Sequence, residues 1–289
     1  MLYKNQIAHL KQNGWCTIKN AINDSVLNLI INQSITTEER FLNQWHVNNP
    51  NITFDASKFK PLNRLREAWL KFDKPEMRRY PLKFLITKNF HKFVTSKIFI
   101  DIAKEIFEDS NLALFGSFNL RIKIKEQSWN KTPEHADWQA WENWSNGSIN
   151  TSPNDCDVFT FWTPLNDVDQ NSSCLRISNC YLTVEENNFL RKNSLSIEKS
   201  HLFPDIKYVD LKLSPKDLLI FNHKIVHCSN PNLTEEVIWV ADWRYQIADK
   251  PYEGMKYGFK IPNINSQESL DNSFRNWENK IKSYSPYYK

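Results

Sequence analysis

The residues best placed to do chemistry are His135 and Asp137, in the stretch Thr132-Pro133-Glu134-His135-Ala136-Asp137-Trp138, and His227, in the later stretch His227-Cys228-Ser229-Asn230-Pro231-Asn232. On an extended chain successive side chains alternate sides, so His135 and Asp137 would project from one face while Ala136 points away. An imidazole and a carboxylate placed in that way reach a common ion. A His-x-Asp triplet alone recurs by chance and describes a hydrogen-bonded pair in a surface loop equally well. His227 changes that reading, because it follows the apolar run Asp217-Leu218-Leu219-Ile220-Phe221 and precedes a turn. Two histidines and one carboxylate that leave coordination positions open form the donor set of non-heme iron(II) oxygenases, although the same ligands accept other divalent ions. His223 falls in a turn over residues 222–224 and is expected at the surface or behind the ligands. Structural roles suffice for His9, His46, His91 and His201.

The elements that must position these residues change in texture along the chain. A helix is expected over residues 2–12, stopped by Asn13-Gly14, where glycine offers the positive φ that a turn requires. A short strand over 15–19 follows. Asp24 is then placed to cap a second helix whose apolar face holds Val26, Leu27, Leu29, Ile30 and Ile31. Residues 1–110 read as mostly helical, with further helices over 63–72 and 93–107. From residue 112 the pattern alternates: Phe118, Leu120, Ile122 and Ile124 interleave with Asn119, Arg121, Lys123 and Lys125, the period of a half-buried strand. Other strands are expected over 157–162, 174–177, 208–211, 217–221 and 237–245. Short strands between turn-rich loops argue for an antiparallel sandwich or jelly roll. The expected architecture is a single domain over 1–289, mainly β with helical additions. It comprises a helical part over 1–110, a jelly-roll core over 112–247, and a C-terminal extension over 248–289. That extension contains Pro251, Pro262 and Pro286, with one helix around 266–281, and is expected to pack across the barrel.

Composition narrows the function classes. The chain has 289 residues, 24% charged and 40% hydrophobic, which is ordinary globular usage. The 37 Lys and Arg against 33 Asp and Glu give a net charge of +4. They are scattered, which is the pattern of a solvated surface and not of a nucleic-acid stripe. Lys4, His9, Lys11 and Gln12 interrupt the start, so no secretory h-region is evident, and no stretch reaches the length needed to span a bilayer. A cytoplasmic protein with no nucleic-acid or membrane partner is expected. The five cysteines, Cys16, Cys156, Cys174, Cys180 and Cys228, are scattered without a C-x-x-C pair and are expected to be reduced. Asn-x-Ser/Thr triplets such as those at Asn51, Asn171 and Asn232 carry no weight without a secretory route.

Taken together, several segments resemble the phytanoyl-CoA dioxygenase family of iron(II)- and 2-oxoglutarate-dependent oxygenases. They are Leu10-Lys-Gln-Asn-Gly-Trp15, Asn119-Leu-Arg-Ile-Lys123, the His135 segment, Phe161-Trp-Thr-Pro-Leu-Asn-Asp-Val-Asp169, Asp217-Leu-Leu-Ile-Phe221, the His227 segment, and Trp239-Val-Ala-Asp-Trp-Arg-Tyr245. The resemblance implies a double-stranded β-helix in which His135, Asp137 and His227 bind Fe(II), with 2-oxoglutarate and dioxygen as cosubstrates. Oxidative decarboxylation to succinate would then drive hydroxylation, or a related desaturation, of a small molecule. Asp137 argues against the halogenase branch, which lacks the carboxylate. Ser229 matches a position that helps hold the far carboxylate of 2-oxoglutarate.

One departure bears directly on that chemistry. Where the family places the arginine that anchors the far carboxylate through paired charge-assisted hydrogen bonds, this chain has Ile238. Three explanations stand. Another cation substitutes, with Arg244, Arg121 and Lys123 as candidates, and Arg244 would face the same side of the strand as Ile238. Alternatively the cosubstrate is different or absent. In the third, the chain is a catalytically idle jelly-roll binding protein. In addition, Asn171-Ser-Ser-Cys174 and Ile177-Ser-Asn-Cys180 stand where the family has glycine-containing turns, so loop geometry there is expected to differ. Trp138, Trp141, Trp144, Trp162, Trp239 and Trp243 cluster in sequence near these segments and serve either an aromatic substrate mouth or the core.

Overall fold

The structure, a computed structural model, describes residues 3–75, 85–127, 130–144, 152–197, 206–252, 258–262 and 266–284. His201 and Pro286 of the sequence reading lie outside these residues, as does the side chain of Trp144.

The first helix, α1 (Lys4–Asn13), stops at Gly14, which takes φ 79° and returns its N–H to Leu10 O at 2.8 Å. A Cβ at Gly14 would also lie 2.1 Å from the Tyr181 hydroxyl oxygen, so both the backbone and the packing require glycine there. β1 (Trp15–Ile18) and α2 (Asp24–Asn48) follow. The cap of α2 is Asn23, whose side chain accepts from Val26 N at 3.0 Å, and not Asp24 as the sequence suggested. Asp24 instead opens the first turn, where its charge suits the helix dipole. After α3 (Arg64–Lys71), the continuous helix expected over 93–107 is two helices, α4 (Lys88–Val94) and α5 (Lys97–Phe107). The hydroxyls of Thr95 and Ser96 bond the carbonyls of His91 and Lys92 and compete with continuation of the helix.

The remaining elements are β2 (Leu112–Leu114), β3 (Asn119–Lys123), α6 (Asp137–Trp144), β4 (Val158–Pro164), β5 (Leu175–Tyr181), α7 (Val184–Lys192), β6 (Tyr208–Asp210), β7 (Leu218–Asn222), β8 (Ile225–Ser229), β9 (Ile238–Ile247), β10 (Phe259–Lys260) and α8 (Gln267–Tyr284). They form a seven-stranded sheet in the order β1-β7-β4-β9-β2-β10, with β3 also paired to β9, and a three-stranded sheet, β6-β5-β8. Every pairing is antiparallel.

Alternation along the strands separates two cores. Trp162, Leu219, Phe221, Ile238 and Val240 face Leu175, Ile177 and Ile225 of the small sheet, while Phe161, Leu218, Ile220, Trp239 and Trp243 face the helices. β9 is therefore buried on both sides along nearly its whole length, the polar Asp242, Arg244 and Gln246 included. Its start is fixed by a buried clasp. The Glu38 carboxylate accepts from Leu62 N at 2.9 Å, Leu65 N at 3.1 Å and Arg64 Nε at 2.8 Å. The segment so held accepts from Trp239 Nε1 at Leu62 O and from Val237 N at the Asn63 side chain.

The described parts of the C-terminal extension join the sheet edge and the helices. β10 adds to the edge beside β2, and α8 packs on α4. No described helix is long and apolar enough to cross a membrane.

His91 sits at the junction of α4 and α8, its ring 5.1 Å from Phe259 and its Nε2 3.0 Å from the Ser273 hydroxyl. Burial pushes its pKa down to about 4. The unfolded chain therefore takes up a proton that the folded chain refuses as pH falls from about 6.5 toward 4. Stability is full above that window and is lost through it, by up to about 3 kcal/mol from this one group. Denaturant titrations across pH 4 to 7 should show a shallower pH dependence in His91→Phe than in the wild type, and identical slopes would contradict this assignment.

Candidate metal centre

His135 and His227 are far apart in sequence but pair through their backbones. His135 N donates to His227 O at 3.0 Å, and His227 N to His135 O at 2.9 Å. The ladder extends to Thr132, whose N–H donates to Ser229 Oγ at 2.7 Å and whose carbonyl accepts from Ser229 N at 3.1 Å. The imidazoles consequently lie with ring centroids 4.3 Å apart.

The expected extended path through Asp137 is not what forms. After His135 the chain turns into α6 at Asp137, and Trp138 N donates to His223 O at 3.3 Å. The carboxylate nevertheless meets both rings: Asp137 Oδ1 is 3.8 Å from His135 Nε2 and 3.9 Å from His227 Nε2. All three donor atoms lie within 4.8 Å of one another. Among the described residues this is the one group of three or more His, Cys, Asp or Glu side chains able to hold an ion.

The protonation states suit an ion. His135 Nδ1 faces Pro133 O at 2.8 Å and His227 Nδ1 faces Ile225 O at 3.1 Å. A carbonyl only accepts, so each Nδ1 carries the proton and each Nε2 turns a lone pair toward Asp137. Burial pushes the His135 pKa down to about 3 and lowers that of His227 as well, which keeps both rings neutral. Burial alone would raise the Asp137 carboxyl, but Arg244 and a 2.6 Å hydrogen bond from the Thr160 hydroxyl hold it well below the usual carboxylate range. The donors present, two neutral Nε2 atoms and one carboxylate, fit a divalent cation.

The other residues singled out in the sequence fall into two groups. Arg244 is buried and committed. Its Nη2 lies 2.9 and 3.2 Å from the two Asp137 oxygens and its Nε 3.1 Å from Oδ2, while Nη1 donates to Ser117 O and to Asp242. Asp242 also accepts from Arg121 Nε at 2.6 Å and Asn119 Nδ2 at 2.8 Å. Lys123 and Ser229 line the same pocket, in front of His135 and His227, but without an ion partner there; the Lys123 ammonium donates to Thr132 Oγ1 at 3.0 Å. Burial, followed by the neighbouring Arg121, lowers the Lys123 pKa to about 7.

His223 is fully buried, which removes the surface placement. Its ring stacks on Trp141, with Nε2 3.2 Å from Pro153 O. Of the tryptophans with described side chains, Trp162 lines the pocket, whereas Trp138, Trp141, Trp239 and Trp243 pack in cores. Ser173, at the turn that lacks glycine, adopts φ 64° beside the pocket and ties its hydroxyl to Asn230 O at 2.9 Å. That left-handed conformation costs about 1 kcal/mol for a residue with a Cβ. Sequence reasoning missed Thr160 and Asp242; the alternation Asp242-x-Arg244 on an expected strand was the available signal for Asp242.

No family model matches the chain, and no curated protein matches it. Solved structures do. The iron-bound form of EctD from S. alaskensis superposes with a TM-score of 0.56 at 14% identity, covering 86% of this chain and 78% of that one. The likeness is one of fold. SnoN, a non-heme α-ketoglutarate-dependent epimerase from nogalamycin biosynthesis, gives 0.51 at 14% identity over 84% and 82% of the two chains. The nickel complex of the non-heme monooxygenase ThoJ gives 0.52 at 12% identity over 96% and 97%. SnoN is also known with Fe3+, α-ketoglutarate and nogalamycin RO, and EctD with 2-oxoglutarate and 5-hydroxyectoine.

The pairing of Arg244 with two buried carboxylates sets a measurable cost. Arg244→Met leaves Asp137 without its cation, while Asp242 keeps Arg121, and should lower unfolding free energy by about 3 to 5 kcal/mol. Arg244→Lys, which keeps the charge without the fork, should lose less. Denaturant unfolding of the metal-free protein reads both, and a neutral Arg244→Met would contradict the pairing.

Proposed function

We propose that the protein is a non-heme iron(II)- and 2-oxoglutarate-dependent dioxygenase that hydroxylates or desaturates a small molecule, built on a double-stranded β-helix related to the phytanoyl-CoA dioxygenase family. The observation that carries this reading is the convergence of His135 Nε2, His227 Nε2 and Asp137 Oδ1, with both Nδ1 atoms tied back to carbonyls. The shared fold with EctD, SnoN and ThoJ supports it.

On this reading His135, Asp137 and His227 would hold the iron beside the pocket that His135 and His227 line. Bound there, iron(II) supplies the redox chemistry that couples oxidative decarboxylation of 2-oxoglutarate to removal of a hydrogen from the substrate. The residues of the chain set the conditions. Arg244 and Thr160 keep Asp137 ionised and aimed, and the Pro133 and Ile225 carbonyls fix the imidazole tautomers. Phe221, whose ring centroid is 4.6 Å from that of His227, Trp162 and Val240 exclude water from the inner wall. Ser229, in the same pocket, offers a hydroxyl toward a bound cosubstrate.

Charge supports a dianionic cosubstrate. Arg121, Lys123 and Arg244 stand against Asp137 and Asp242, which leaves one excess positive charge when Lys123 is protonated, before a divalent ion is added. A dicarboxylate offsets most of the resulting excess. Ile238 favours a second reading, an altered cosubstrate or a binding protein without turnover, since that position offers no donor. The two separate on one assay. With iron(II) and dioxygen, the wild type should convert 2-oxoglutarate to succinate at a slow rate even without substrate, and His135→Ala and Asp137→Ala should fall to background. Absence of conversion in iron-loaded wild type would favour the second reading.

A further inference from the structure

The loss of a donor at Ile238 has a counterpart one strand away. In the register of β3 with β9, Lys123 stands directly opposite Ile238, Arg121 opposite Val240 and Asn119 opposite Asp242. Residues opposite one another in an antiparallel pair share a face, with Cβ atoms about 5 Å apart. The Lys123 ammonium therefore occupies the region that a long basic side chain at position 238 would reach. Arg244, although on the same face, is six residues along β9, about 20 Å at the rise of a strand. That distance, together with its bonds to Asp137 and Asp242, separates it from the same role.

Lys123 also differs from the other cations of the pocket in its partners. Arg121 is bonded to Asp242, and Arg244 to Asp137 and Asp242. Lys123 is only 6% exposed, its hydrogen-bond partner among the described residues is the Thr132 hydroxyl, and it makes no ion pair with a described carboxylate. An ammonium has three donors, and a buried one without a counterion is costly. The site is rigidly built: Asn232 Nδ2 donates to Lys123 O at 2.9 Å, and Thr132 N donates to Ser229 Oγ at 2.7 Å. Lys123, Thr132 and Ser229 thus meet at one end of the pocket. Along β8, Ser229 lies two residues beyond His227, about 6.6 Å at the rise of a strand, which is close to the reach of a five-carbon diacid chelated at its 2-oxo end.

We infer that Lys123, with the hydroxyls of Thr132 and Ser229, binds the far carboxylate of a 2-oxo dicarboxylic acid in place of the arginine that Ile238 has displaced. This rests on the 2-oxoglutarate reading above and assigns the residue that selects a diacid over a 2-oxo monoacid.

The test is anaerobic titration of the iron(II)-loaded protein with 2-oxoglutarate and, separately, 2-oxobutyrate, following the visible charge-transfer band of the chelate. The wild type should prefer 2-oxoglutarate by about tenfold or more, as expected of a charge-assisted contact. Lys123→Met should lose that preference while binding iron as the wild type does, and Lys123→Arg should keep most of it. A wild type indifferent to the second carboxylate, or a Lys123→Met protein with undiminished preference, overturns the assignment of Lys123 and leaves the 2-oxo acid reading intact. An iron-loaded wild type that gives no band with either acid removes both.

Discussion

The Asp137 carboxylate is buried and ionised, and the geometry of the site follows from the need to compensate it. Arg244 supplies the charge from β9 and is itself balanced by Asp242, which in turn holds Arg121 at the pocket wall. An alternating chain of four charges therefore runs from the pocket wall to Asp137, each within hydrogen-bond distance of the next. None of these groups could be buried alone without a large desolvation cost. Together they fix the face of β9 that looks inward and the side of Asp137 that remains free for an ion.

Backbone pairing does the complementary work. The reciprocal hydrogen bonds between His135 and His227 align two segments that no local interaction would bring together, and each Nδ1 is anchored by a carbonyl two residues earlier in its own chain. Helix α6 begins where this short ladder ends, so Asp137 approaches the two imidazoles from a different element. Side chains held by a paired ladder and by a helix are harder to displace than three on one loop.

Much of this was legible in the sequence, and the gaps have physical causes. The strands buried on one or both faces, β3, β4, β7 and β9, announced themselves through period-two or continuous apolar runs. The three metal-ligand candidates stood out by type and spacing. β8 is short and interrupted by the histidine, so its pattern could not be distinguished from turn. Helix α6 starts where Trp138 N finds His223 O, a tertiary bond invisible to local propensity. Helix α7 did carry a local sign, the capping box of Thr183 and Glu186. The roles of Arg244 and Lys123 depended on register: parity along β9 gave the correct face for Arg244, but only the pairing with β3 shows that Lys123 is the neighbour of Ile238.

Whether His135, Asp137 and His227 together hold one divalent ion is open to direct measurement. Equilibrium dialysis of the metal-free protein against manganese(II), alongside His227→Ala and Asp137→Ala, addresses it without depending on any substrate. One ion per chain is expected in the wild type, with affinities weakened by more than about tenfold in each variant and circular dichroism spectra like that of the wild type. A wild type that binds no ion, or folded variants that bind it as tightly as the wild type, would contradict it.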